Sequence, residues 1–290
     1  MKETDYTYAV AYIRTLEKKM LTNADYDALL SAGSLSESLQ ILSAKGYGNG
    51  ITELNFTAET LLQEELSFTW NEVRKACPKD APTHILLYQN DFHNLKTILK
   101  AVFSNVDYKP LMLEPHTISP DAIHRAIAEG KPGSLPDILK KPAAEAYQIL
   151  AREGDGQAAE IVLDKALFAV MGETAKNSQS DFLIGWVDLM TALANTKTAF
   201  RGGRQDAMLG GGQILSDAPK GSITALECWC DNKIIKYLQS AQYKAFGFAP
   251  ILAFLINKQF ELQSVRIILS GLKSGIPAEV LRERLRAAYV

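Results

Sequence analysis

The residues best suited to chemistry recur along the chain. Glu59, Glu160 and Glu227 are carboxylates that precede the cations Lys96, Lys197 and Arg266 by 37, 37 and 39 residues. Opposite charges at a repeated spacing can pair within a fold and fix helix register, line a central polar ring, or bind a partner. An exposed pair is worth only on the order of 0–1 kcal/mol. The recurrence therefore points to partial burial or to inheritance from a duplicated ancestor, and the spacing alone does not choose.

Three other groups invite a chemical reading. Gly202-Gly203-Arg204 and Gly210-Gly211-Gly212 form a glycine-rich stretch with an arginine inside it. No G-x-x-x-x-G-K-[ST] and no strand-borne G-x-G-x-x-G is present, so a flexible loop closing a helix at Gly202 is the plainer reading. Cys228-x-Cys230 is half of a metal motif with no second Cys/His pair, inside a helical pattern where i and i+2 point to different faces. A core role fits it better. Among His84, His93, His116 and His124, His93 sits two residues from Asp91, which invites a general-base reading. No serine or cysteine nucleophile accompanies it. No catalytic residue, cofactor site or metal site is assigned.

The elements that must position these residues are helical. Tyr6, Val10, Ile13, Leu16 and Met20 follow the i, i+3, i+4, i+7 pattern of an amphipathic helix. Thr22-x-x-Asp25 and Ser34-x-x-Glu37 have the form of capping boxes, the second helix stopping at Gly46. Long helices are expected over residues 58–76 and 85–103. The proline-rich span 108–142 should break into short helices, with Ser119 capping a helix that opens at Pro120 and stops at Gly130. Further helices are expected over 158–175, 181–201, 222–240 and 250–270, with a short one opening at Pro277. The hairpin-like Asn49-Gly50 has no alternating strands around it. The fold class is all-α.

The chain repeats internally. Ala58-Glu59, Leu62 and Leu66 recur 101 residues later as Ala159-Glu160, Leu163 and Leu167. The same offset turns Asn94-Leu95-Lys96-Thr97 into Asn195-Thr196-Lys197-Thr198, and Lys100 into Arg201. Two separate patches on one offset point to duplication. At a shift of 100, the pattern around Ser34-Leu35 resembles that at Ser134-Leu135. A fainter third copy runs through Glu227, Asp231, Ile234 and Arg266. Each unit reads as an antiparallel pair of long helices. Three such units, 1–106, 107–205 and 206–290, suit a closed arrangement about a pseudo-threefold axis better than a linear solenoid of shorter repeats.

Composition bounds the function. The chain has 290 residues, 31 basic and 33 acidic side chains, and is 47% hydrophobic, so it can build a core without disulfides or metals. Its near-neutral balance argues against nucleic-acid binding driven by phosphate neutralisation. Three cysteines, Cys77, Cys228 and Cys230, cannot all pair, and with the charged opening Met1-Lys2-Glu3-Thr4-Asp5 they indicate a reducing compartment and no secretory leader. The longest membrane-like stretch, 245–257, is short of the roughly 20 residues a spanning helix needs, and it contains Gly247 and Pro250. Phe246-Gly247-Phe248-Ala249-Pro250-Ile251-Leu252 within it reads as a packed helix start or as a contact with a membrane-embedded partner.

The ordered motifs resemble the C subunit of prokaryotic V/A-type ATPases, related to the d subunit of eukaryotic V-type ATPases. They are Tyr8-Ala9-Val10-Ala11-Tyr12-Ile13-Arg14-Thr15-Leu16-Glu17, Leu21, Tyr26-Asp27-Ala28-Leu29-Leu30, Asp91-Phe92-His93-Asn94-Leu95-Lys96, Asp188-Leu189, Asn195-Thr196-Lys197-Thr198, Gly211-Gly212, the span Glu261 to Ile268, Arg282-Glu283-Arg284-Leu285 and Tyr289-Val290. The resemblance covers nearly the whole chain. It implies a funnel of three similar helical domains that acts as a non-catalytic rotor part. It further implies a peripheral position on the cytoplasmic face of the membrane, one copy per complex, with the proteolipid ring and the central-stalk subunits as partners. Ser264 stands where the first two copies have asparagine, and Ala192 where the first has Asp91. The readings set against this one are a helical-repeat adaptor unrelated to ATPases and a soluble enzyme with an unrecognised site.

Overall fold

Helical periodicity governs the backbone throughout the computed structural model, which describes residues 2–48 and 57–289; Asn49-Gly50 lies outside the described residues. In chain order the helices are α1 Thr7–Glu17, α2 Asn23–Ser31, α3 Leu35–Ala44, α4 Ala58–Ala76, α5 Tyr88–Ser104, α6 Pro120–Ala128, α7 Asp137–Glu153, α8 Gly156–Asn177, α9 Asp181–Phe200, α10 Ile223–Gln239, α11 Ala249–Lys273 and α12 Ala278–Arg282. Short 3-10 turns join several of them, and no strand occurs among the described residues. The chain divides into two units, Met1–Ala81 with Ser216–Val290, and Pro82–Leu215.

The first unit is assembled around α11. From Phe248 to Lys258 every residue of this segment is buried, so the helix has no solvent face there and needs no amphipathic pattern. The apolar run 246–252 is thus mostly a packed helix start, with Phe246 left half-exposed at its edge. Helices α1, α2, α3, α4, α10 and α12 all pack on α11. Leu29, Leu42, Leu62, Val265, Ile268 and Leu281 meet in one core cluster. The second unit packs α5 on α6 and α8, α7 on α8, and α8 on α9.

Local chemistry sets most helix starts. Thr22 and Asp25 form the full capping box: Asp25 N–H donates to the Thr22 hydroxyl, and Thr22 N–H donates to the Asp25 carboxylate at 2.9 Å. Ser34 accepts from Glu37 N–H, but the Glu37 carboxylate turns to Gly33 N–H at 2.8 Å, so this box is displaced by one residue. Three expectations need correction. The helix expected over 85–103 starts only at Tyr88, after a 3-10 turn at Pro82–Leu86. Ser119 makes no side-chain cap, and Pro120 alone opens α6, its fixed φ suiting the first helical position. Pro142 does not break the chain but sits inside α7. A proline there removes one helical N–H, while burial of Leu139, Pro142, Ala143 and Ala146 along one face keeps the helix continuous.

Candidate functional site: buried side chains that grip the connectors

The repeated asparagines do the same work in both copies of the second unit. Asn94 is fully buried on α5; its Nδ2 donates to Leu113 O at 3.0 Å and its Oδ1 accepts from Leu113 N–H at 2.8 Å. Asn195 is buried on α9; its Nδ2 donates to Leu209 O at 3.0 Å and Gly212 O at 2.8 Å, and its Oδ1 accepts from Leu209 N–H at 2.7 Å. Each side chain replaces the strand or helix partner that a buried connector backbone would otherwise lack. The segments after α5 and α9 are thereby fixed to the helix they have just left.

The departure at Ala192 has a local answer. One turn before Asn94, Asp91 accepts from Thr117 N–H at 2.8 Å, the Thr117 hydroxyl at 2.5 Å and Ile118 N–H at 3.0 Å. At Ala192 no carboxylate exists to reach out, and the connector itself comes in. A Cβ on Gly212 would lie 2.8 Å from the Thr191 carbonyl carbon and 2.9 Å from Ala192 N, so only glycine allows this approach. Thr196 Oγ1 then accepts from Leu215 N–H at 3.0 Å. The glycine-rich stretch does close α9 at Gly202, which has φ +64°, and beyond that it is docked rather than loose.

In the third copy the same register falls on α11. Ser264 accepts from Arg286 N–H across a long 3.5 Å contact. Glu261, three residues earlier as Asp91 is to Asn94, accepts from Leu21 N–H at 2.6 Å and from the Tyr47 hydroxyl at 2.5 Å. Lys258 completes this network: its ammonium lies 2.6 Å from Glu261 and 2.7 Å from Glu65 on α4, above the Tyr47 ring. Only 5% of Lys258 and 3% of Glu261 is exposed. Four separated parts of the first unit meet at this charge cluster. Of this cluster, the motifs singled out in the sequence include Glu261 and Leu21 but not Lys258, Glu65 or Tyr47. The signals for it are a lysine ending a long apolar run and the three-residue spacing of Glu261 from Ser264.

The carboxylate–cation repeat pairs differently from the intra-hairpin expectation. Lys96 pairs with Asp164 and Lys100 with Glu160, so cations of the first copy reach carboxylates of the second. Arg266 of the third copy holds Glu59 of the first through Nη2 at 2.8 Å and Nε at 3.1 Å. The physical reason is packing. The order of the paired residues makes α5 antiparallel to α8 and α4 antiparallel to α11, while α4 and α5 belong to different units. The α5–α8 and α4–α11 joints therefore use the same motif. Lys197 stands on α9 and Glu227 near the start of α10, both half-buried. Glu59 and Arg266 are each about half exposed. Arg266→Ala is expected to change unfolding free energy by less than about 1 kcal/mol, measured by urea denaturation; a larger loss would mean that this pair carries more of the joint than its exposure allows.

Groups that hold their protons more tightly are concentrated in the first unit, with Tyr108 a raised phenol of the second. Burial pushes Tyr6 and Tyr289 up to about 12. Burial and the Glu261 charge hold Tyr26 and Tyr47 well above the ordinary phenol value. For Lys258, burial works against the charged form, but Glu261 and Glu65 outweigh it and raise the ammonium. All five belong to the first unit, and each binds its proton more tightly folded than unfolded. Their contribution is complete below pH 10 and is progressively lost as pH rises above it. Hydrogen exchange at pH 10–11 should show the first unit losing protection ahead of the second; simultaneous loss in both would contradict this.

The other chemical candidates have structural occupations. Asp91 is committed to Thr117 and Ile118, while His93 Nε2 contacts Leu111 O at 3.2 Å. Cys230 points into the core, and Cys228 Sγ donates to Leu285 O at 3.3 Å.

Comparison with known proteins finds relatives over nearly the whole chain. The chain matches the family described as ATP synthase (C/AC39) subunit over residues 9–211 and 210–284. It is 22% identical to the C subunit of the V-type sodium ATPase of Enterococcus hirae, with 96% of this chain and 97% of that protein covered. It is 24% identical to the C subunit of the V-type ATP synthase of Deinococcus radiodurans, over 98% of this chain and 92% of that one. Identity to the C subunit of the A-type ATP synthase of Methanosarcina acetivorans is 22%, over 97% and 93%.

Proposed function

Because the chain belongs to the ATP synthase (C/AC39) subunit family, we propose that it is a non-catalytic part of a V/A-type rotary ATPase that couples the central stalk to the membrane proteolipid ring. The observation that carries this reading is the end-to-end similarity to proteins named as the C subunits of V-type and A-type enzymes. Among the described residues no helix is long and apolar enough to cross a membrane, which suits a protein held on the ring at the cytoplasmic face.

In this reading the chain carries torque instead of catalysing a reaction. The internal repeat reads as three modules, 1–106, 107–205 and 206–290, and one copy serves each complex. The recurrence of a connector-gripping residue at Asn94, Asn195 and Ser264 supports the threefold division. Close-packed helices transmit strain with little compression, and connectors fixed by buried side chains lose little further entropy when a partner docks on them. Contacts to the stalk are expected to be polar and complementary in charge, which sets specificity and docking rate more than affinity.

The test is affinity purification of the tagged chain from detergent-solubilised membranes. Recovery of stalk subunits together with the proteolipid is the expected result. Recovery of neither would overturn the assignment.

A further inference from the structure

In the first unit, residues 283–289 run across one face of α10. Cys228, Asp231 and Asn232, spaced i, i+3 and i+4 on that helix, all contact them. Arg286 reaches Asp231 through Nε at 2.9 Å and Nη2 at 2.8 Å, both side chains being largely buried. Ala287 N–H donates to Asn232 Oδ1 at 2.9 Å, and Cys228 Sγ donates to Leu285 O. Beyond them, Gln242 Nε2 donates to Tyr289 O at 2.8 Å. The segment also supplies the third connector contact, Arg286 N–H to Ser264.

The three connectors are not held alike. Asn94 and Asn195 each exchange two or three short bonds with connector backbone from a fully enclosed position. The third has one long bond to Ser264 and relies instead on side chains at the α10 surface. Its apolar anchor is Tyr289 at the far end, only 5% exposed, while Leu285 and Ala288 between it and α12 only partly cover the core cluster.

We propose that residues 283–288 form a releasable strap between α12 and the buried Tyr289, latched by Arg286 on Asp231, whose opening uncovers the Cys228 face of α10 while the α4–α11 joint stays closed. The strap makes the third connector adjustable where the first two are fixed. Local opening of this kind is governed by its own free energy, separate from global unfolding.

Thiol labelling of the full-length chain with a maleimide, read residue by residue by mass spectrometry, tests this. Cys77 follows α4 in the same unit, and Cys230 is buried. Breaking a buried pair raises the open population steeply, so Arg286→Ala should speed Cys228 labelling on the order of tenfold or more, with Cys77 and Cys230 unchanged and Arg286→Lys intermediate. No change at Cys228, or an equal rise at all three cysteines, overturns the proposal. Should Arg286→Ala fail to fold, hydrogen exchange on the unmodified chain decides. The amides of Arg286 and Ala287 must then exchange faster than those of α11, and equal protection rejects the strap.

Discussion

Lys258→Met should unfold the first unit at markedly lower urea, with a loss of about 3–5 kcal/mol. The ammonium lies between Glu65 and Glu261, which no longer have a counter-charge when it is removed. Methionine fills similar space, so the loss is electrostatic and not a cavity effect. Glu261 also accepts from Leu21 N–H and the Tyr47 hydroxyl, so it cannot turn away without stranding them. The cost should therefore fall sharply when the whole set is neutralised. Glu65→Leu, Lys258→Met and Glu261→Gln together leave no charge, and the glutamine oxygen still accepts from Leu21 N–H. Replacing a buried ionic triad with neutral groups is often neutral or stabilising. A single variant as weak as the triple one would show that Lys258 is not the charge that holds the cluster.

Asn195→Ala should cost the second unit about 3 kcal/mol, because it strands buried backbone groups that each cost about 1–3 kcal/mol when unpaired. Those groups are Leu209 N–H, Leu209 O and Gly212 O. Asn195→Asp keeps the acceptor for Leu209 N–H but turns a buried carboxylate toward Leu209 O and Gly212 O, so at neutral pH its effect should be at least as large. Asn94→Ala should behave alike through Leu113. Hydrogen exchange across residues 209–215 reads the outcome: protection there should fall in Asn195→Ala and persist in Asn94→Ala. Unchanged protection in Asn195→Ala would mean that Gly212 packing alone docks the connector.

Much of this architecture is legible in residue types because it is local. Helix periodicity, the Thr22–Asp25 cap and the stop at Gly202 are decided within a few residues of themselves. The repeat offset likewise picks out Asn94 and Asn195, which do share a role. Their partners are not legible, because a backbone carbonyl 14 or 19 residues away carries no sequence mark. The charge pairing misleads for a related reason. A spacing of 37 residues is compatible with pairing inside a hairpin, but α5 packs on α8 and α4 on α11, and ion pairs follow packing. Lys258 is marked only as a lysine ending an apolar run, and its partners Glu65 and Tyr47 are not legible because only the tertiary fold brings them beside it. Pro142 shows the opposite limit: a proline signal is local, and burial along α7 outweighs it.

Mechanical coupling is tested most directly by comparing ATP hydrolysis with ion transport in membranes whose complex is assembled with and without this chain. Without it, the catalytic sector should still hydrolyse ATP while ATP-driven ion transport is lost, and adding the chain back should restore transport. Ion transport that continues at the full rate without the chain would contradict a coupling role.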